Sequence, residues 1–281
     1  MSIYFSAEIG SNHNQNKSRM YKLIDKAKEI GANSVKLQLF KAKKLWHPSW
    51  KEQFEVAKKR ELPAVWIPEI TDYCKKMDIQ LGITPFDLGA VDVIKDFVDF
   101  IKISSYDILR MDLIEKCFNT GKRLVISTGE ANISEIENII LKLREIGKYS
   151  KFLSIPFLHC YSSYPVKKEN CDMSDITLLY TILRQYIYNP IVGYSDHSKD
   201  PDVIYEAYEK GANWVEFHLD LEDEEGCEGS GHCWRPNDIQ VVIEEIRQRE
   251  EELKYKRQLR ADPSDGLRPC LELRNVGEIN K

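Results

Sequence analysis

The chain has 281 residues, 40 of them basic and 45 acidic, for a net charge of -5. The charges are mixed along the chain rather than blocked, which gives no general attraction to nucleic acid or anionic membrane and confines any positive site to a local patch. No basic start leads into an apolar run and no later stretch reaches about 18 apolar residues, so neither a secreted nor a membrane-spanning protein is expected.

Seven scattered cysteines without a CxxC pair read as reduced cytoplasmic thiols.

In chain order, short apolar runs alternate with helix-length amphipathic stretches. IYFSAEI precedes a helix near 17–30, SVKLQLF one near 65–77, IQLGIT one near 88–98 and FIKISS one near 110–119. RLVIST leads to a helix near 133–146, PFLHCY to one near 173–187, IVGYS to one near 201–210 and WVEFHL to one near 236–254. Eight such units are the count that closes a (β/α)8 TIM barrel, an α/β fold. An open doubly wound sheet usually has fewer units and a GxGxxG turn after its first strand, which this chain lacks. Residues 1–255 are expected to form one catalytic barrel and the turn-rich segment 256–281 a tail. The long connection 41–64, between strand two and its helix, is expected to be a functional lid or disordered.

Alternation along a strand sends one parity to the barrel interior and the other to the helices. Val35, Leu37 and Leu39 must meet the helices, so Lys36 and Gln38 point inward. The same test turns Glu8, Lys102, Ser104, Glu216 and His218 inward and gives Gly193, Ser195 and His197 one common parity. His159 and Tyr161 are assigned inward parity as well. An interior this polar is more than a packed core, because unpaired buried charge is costly.

These residues gather at the carboxyl ends of the strands, the face on which this fold carries catalysis. His197 and His218 end neighbouring strands about 4.8 Å apart. Two imidazoles at that spacing can share one divalent ion and leave coordination positions open. Lys36 and Lys102, with the hydroxyls of Ser105, Ser127 and Ser195, suit a small, highly charged anion such as a phosphorylated carboxylate. The competing expectation is that the lysines only neutralise Glu8 and Glu216. Cys227, His232 and Cys233 lack the spacing of a zinc site and read as a plain loop.

The motifs AEIGSNHN, GANSVKLQLF, TPFD, KISSYD, VISTGEA, LHCYSSYP, VGYSDHS and GANWVEFHL follow one another over nearly the whole barrel. In this the chain resembles the N-acetylneuraminate (sialic acid) synthase family, whose members condense phosphoenolpyruvate with an N-acylated hexosamine. The resemblance implies a divalent ion on His197 and His218, Mn2+ before Mg2+ or Co2+. It implies phosphoenolpyruvate on Lys36, Thr84, Lys102, Ser105, Ser127, Tyr164 and Ser195. Asn14 and Gln38 are further substrate-binding candidates, and Glu8, Asp107 and Glu216 are the candidates for handling protons. A sialic-acid-like 3-deoxy-2-ulosonic acid, release of phosphate and a cytoplasmic homodimer go with the resemblance.

The departures fall mostly on the acceptor side. KISSYD stands where the family writes KIPSGE or KIGSGE, so Tyr106 replaces glycine and Asp107 a glutamate. GSGH replaces GPDH, with Gly231 in place of aspartate, and NHNQ carries Gln15 in place of glycine. The barrel is expected without the small antifreeze-like domain that commonly follows it. The lysines of 41–64 are expected to be solvated, or else to contact a phosphorylated acceptor. Two rival readings stand beside this one. A metal-dependent 2-keto acid aldolase or lyase turns over pyruvate, and a non-catalytic sugar-binding barrel has no need of the complete donor set.

Overall fold

The computed structural model describes residues 2–47, 49–129, 131–146, 155–222, 225–229 and 231–261. Eight parallel strands close in sequence order: β1 (Tyr4–Gly10), β2 (Ser34–Leu39), β3 (Gln80–Pro85), β4 (Phe100–Ile103), β5 (Arg123–Ser127), β6 (Phe157–Cys160), β7 (Val192–Asp196) and β8 (Trp214–His218). Each expected strand–helix unit is present. The helices start where the local chemistry directs. Asn16 caps Lys17–Glu29 by accepting from the Arg19 amide at 3.1 Å, and Asp200 accepts from Asp202 just ahead of Pro201–Glu209. Their apolar faces repeat at helical spacing, as with Met20, Leu23, Ile24 and Ala27, all buried against the strands. Among the described residues no helix is long and apolar enough to cross a membrane.

The barrel interior is layered. Phe100, Val125, Leu158 and Trp214 pack together at the amino-terminal end, with the Tyr4 ring stacked 3.9 Å from that of Trp214. Gly82 makes this floor possible, since a Cβ there would stand 2.1 Å from the Phe100 ring. Above the floor the register sets Glu8 beside Lys36 on one side and His218 on the other, and Ser195 beside Glu216. The polar layer therefore lies toward the carboxyl-terminal mouth, over an apolar plug.

Three expectations change. The described residues of 41–64 are not disordered: helices Ala42–Leu45 and Lys51–Arg60 pack as a hairpin, followed by a 3-10 turn at Ala64–Trp66. Phe40, Ala42 and Ala57 bury together with Phe54 and Phe86 against it, a small satellite core that fastens the hairpin to the rim. His159 faces outward, not inward. Leu158 belongs to the barrel floor and Cys160 to the mouth, so the parity of β6 sends His159 toward the Tyr161 and Tyr194 rings, 4.8 and 6.1 Å away. The last helix runs Pro236–Ala261, beyond the boundary at 255, because EELKYKRQLRA carries no breaker. The rest of the expected tail lies outside the described residues.

Candidate functional site

A cavity of about 670 Å³ opens at the carboxyl-terminal mouth. Its inner wall takes Lys36 from β2, Thr84 from β3, Lys102 from β4, Ser127 from β5, and Ser195 and His197 from β7 and the residue after it. Gln38, Ser105, Tyr164, Glu216 and His218 complete that wall. Eleven of the fourteen residues expected at the site are thus brought to one surface. Glu8, Asn14 and Asp107 stand apart from it.

Glu8 is fully buried beneath the cavity, paired with the Lys36 ammonium and accepting from Gln38 Nε2 at 2.9 Å. Asp107 turns its carboxylate away, accepting from Ser104 Oγ at 2.6 Å and pairing with Arg110 at 3.3 Å. Asn14 clamps a neighbouring segment. It accepts from the Cys227 amide at 2.7 Å and donates to the Glu225 carbonyl at 3.3 Å.

The charged layer balances two lysines against two acids. Lys36 Nζ lies 3.7 Å from Glu216 and donates to Thr84 Oγ1 at 3.1 Å. Lys102 Nζ lies 3.9 Å from Glu216 and donates to Ser127 Oγ at 2.6 Å. Burial works against the Lys36 charge, but Glu216 and Glu8 outweigh it and hold the ammonium above lysine's ordinary value. For Lys102 burial wins over Glu216, and its value is lowered. Burial would raise Glu216, yet Lys102 and Lys36 hold it below the ordinary carboxylate value. Burial raises Glu8 despite Lys36. The lysines do neutralise these acids, and they also face the cavity.

The histidine end is separate. His197 Nδ1 donates to the Tyr161 carbonyl at 2.6 Å, which leaves Nε2 as the free acceptor nitrogen. Burial and the neighbouring His218 hold His197 well below histidine's ordinary value. The two rings lie 5.3 Å apart, centroid to centroid, and the Tyr164 ring covers His197 at 4.0 Å. His218 Nδ1 meets Glu228 Oε2 at 2.7 Å. Burial opposes the His218 charge, but Glu228 overcomes it and raises the imidazole. His197 is thus held neutral with Nε2 open, the form that ligates a divalent ion, and Glu228 fixes His218 through Nδ1 as a carboxylate beside a ligating imidazole does, so the donor set fits one.

Several lining residues escaped the sequence reading. Glu228 and His232 join the histidine end from the segment after β8, read above as a plain loop. His232 stood in a motif, GSGH, that marked it; Glu228 sits in an acidic run with no distinguishing signal. The rim hairpin supplies Leu45, Trp46, Glu52, Gln53, Val56 and Arg60, while its lysines are absent from the cavity wall. Lys41 and Lys44 instead pair with Glu61 and Asp87 at 3.0 and 2.7 Å. Gln15, the departure from glycine, braces this hairpin. Its Nε2 donates to the Lys58 and Glu61 carbonyls at 2.9 and 3.0 Å.

The chain is a closed (β/α)8 barrel whose carboxyl-terminal mouth, the face on which this fold carries catalysis, holds a buried lysine–carboxylate layer and a histidine cluster. The chain belongs to the NeuB family, whose model matches residues 23–258. It is 30% identical to the N,N'-diacetyllegionaminic acid synthase of Campylobacter jejuni, covering 86% of this chain and 75% of that one. It is 27% identical to the spore coat polysaccharide biosynthesis protein SpsE of Bacillus subtilis, covering 90% of this chain and 69% of the relative. The N-acetylneuraminic acid (sialic acid) synthetase of Leptospira borgpetersenii superposes with a TM-score of 0.79 at 26% identity, over 93% of this chain and 94% of that one.

Proposed function

We propose that this protein is a transferase that joins phosphoenolpyruvate to an aldose, making a sialic-acid-like 3-deoxy-2-ulosonic acid and releasing phosphate. The observation that carries the reading is the gathering of Lys36, Lys102, Ser127 and Ser195 with His197 and His218 on one cavity wall. The names of the relatives, synthases of legionaminic and sialic acids, support it.

Lys36 and Lys102 hold the donor's carboxylate and phosphate by charge-assisted contacts, with Thr84, Ser105, Ser127 and Ser195 supplying hydroxyls. Because Glu8 and Glu216 already balance the two lysines, donor binding draws on further positive charge at the histidine end. His197 and His218 would hold a divalent ion there, and its chemistry would be to supply that charge and to polarise the acceptor's carbonyl oxygen. Of Mn2+, Mg2+ and Co2+, the family resemblance favours Mn2+. The lysines then stabilise charge on the departing phosphate. Glu216, which lines the cavity and accepts from Ser195 Oγ at 3.1 Å, is the candidate to move a proton. Glu8 acts through Lys36.

The outer half of the cavity, with Phe40, Leu45, Trp46, Val56 and Phe86, suits the apolar substituents of an acylated sugar. The experiment is phosphate release from phosphoenolpyruvate across N-acetylmannosamine, its 6-phosphate, diacetamido hexoses and simple aldoses. Turnover of pyruvate with no phosphate released would point to an aldolase instead.

A further inference from the structure

We infer that Arg60 reads an anionic group on the acceptor, so that the aldose this protein takes carries a phosphate ester away from its aldehyde. The inference rests on the proposed condensation and names the sugar for the same cavity. Helix Lys51–Arg60 contributes Glu52, Gln53, Val56 and Arg60 to the cavity wall, at the i, i+1, i+4 and i+8 spacing of one helical face. Arg60 closes this row as the last residue of the helix, and it is half-buried.

Three lysine or arginine side chains stand on the wall among the described residues: Lys36, Lys102 and Arg60. Glu8 and Glu216 balance the two lysines. Arg60 differs from them, because among the described residues its partner is no carboxylate but the neutral Cys227 carbonyl, which accepts from Nη2 at 2.5 Å. That bond spends one of the five guanidinium N–H groups and ties the fork to the segment after β8. The remaining N–H groups form a planar set that matches phosphate oxygens. A basic residue in a last helical turn also suits the helix dipole, but Lys58 and Lys59 meet that need from solvent. The other hairpin lysines, Lys41 and Lys44, are spent on Glu61 and Asp87.

The donor's lysines rise from β2 and β4 inside the barrel, whereas Arg60 belongs to the rim hairpin that also brings Trp46 and Val56 to the wall. An acylated aldose phosphate answers both features of that outer wall. Its acyl group meets the apolar side chains, and its ester, with three oxygens and nearly two charges at neutral pH, meets the guanidinium. A sugar with a hydroxyl at that carbon leaves the guanidinium without an anion, so the contact discriminates between the two.

The experiment is kcat/KM at saturating phosphoenolpyruvate for N-acetylmannosamine and its 6-phosphate, in the full wild-type chain and in Arg60→Gln, Arg60→Lys and Lys59→Gln. The wild type should favour the 6-phosphate. In Arg60→Gln the ratio of the two kcat/KM values should fall about ten- to a hundredfold, through the KM of the 6-phosphate. Arg60→Lys should recover part of the ratio, and Lys59→Gln, which removes an exposed charge from the same turn, should keep it. Loss of the hairpin's anchor alone would slow both sugars alike and leave the ratio unmoved. Calorimetric titration of wild type and Arg60→Gln with N-acetylmannosamine 6-phosphate reads the contact without turnover. If no aldose released phosphate, the condensation would fail, while weaker binding in Arg60→Gln would still uphold the role of Arg60. A wild type that prefers plain N-acetylmannosamine, a ratio and an affinity unchanged in Arg60→Gln, or a rise in the donor's KM in place of the acceptor's would overturn the assignment.

Discussion

Lys102 Nζ donates to Ser127 Oγ at 2.6 Å while standing 3.9 Å from Glu216, so one buried ammonium links β4, β5 and β8 across the barrel. Among the described residues the acid that pairs with it is Glu216, which is shared with Lys36. Removing Lys102 therefore subtracts directly from anion binding. Lys102→Ala is expected to weaken phosphoenolpyruvate binding by about 1.5–3 kcal/mol, roughly ten- to a hundredfold in Kd. Isothermal titration with the donor alone checks this, and unchanged affinity would remove the lysine from the donor site.

The same lysine sets an alkaline limit. Burial lowers its value below that of an ordinary lysine, so it loses its proton, and its attraction for the donor, at a lower pH than a free lysine does. The KM for phosphoenolpyruvate should therefore climb as pH rises toward that lowered value, before the ordinary lysine range is reached. In Lys102→Arg, where the guanidinium stays charged, the climb should be absent from the pH profile.

His197 and His218 carry the metal expectation. His218→Ala and His197→Ala should abolish metal-dependent turnover while the far-ultraviolet circular dichroism stays that of the folded barrel. Metal content and turnover surviving His218→Ala would contradict the placement of the ion.

The acceptor expectation rests on Tyr106, Asp107 and Gly231. Tyr106 is exposed at the rim, its hydroxyl donating to the Ser162 carbonyl at 3.3 Å, and Asp107 is turned away from the cavity. A site altered in its hydrogen-bonding partners discriminates strongly among sugars. Plain N-acetylmannosamine should be a poor acceptor by kcat/KM beside a differently substituted aldose. Gln15→Gly, which removes the brace on Lys51–Arg60, should raise the acceptor KM and speed amide exchange in that helix without changing the donor KM.

Beneath the segment after β8, Arg19 Nη2 meets Asp220 Oδ1 at 2.5 Å with both side chains almost fully enclosed. Asp220 also accepts from the Gly226 amide at 2.7 Å. Asp220→Ala removes the buried carboxylate that pairs with both Arg19 and Arg235 and should cost about 3–5 kcal/mol of stability. Urea unfolding measures it, and a loss under about 1 kcal/mol, the scale of an exposed pair, would show the pair to be dispensable.

Much of this protein was legible in its sequence because the signals involved are local. Apolar runs of strand length followed by amphipathic helices announce eight β/α units, and alternation along a strand sends Lys36, Lys102, Glu216 and His218 into the barrel without reference to any distant residue. Parity failed at His159, because the short β6 carries apolar residues on both faces, Phe157 on one and Leu158 on the other, and so leaves its phase open. What only the tertiary structure decided lies in the loops. Their side chains meet partners far away in the chain, and no periodicity records those meetings. Glu228 reaches His218 because Gly10, Ser11 and Asn12, more than two hundred residues earlier, leave it room and hold its backbone. Gln15 braces a hairpin more than forty residues on. Asn14 and Asp107, matched by motif, spend their polar atoms on loop geometry outside the cavity wall. Strand parity is a property of the backbone, whereas loop contacts depend on which segments the closed barrel brings to the same rim.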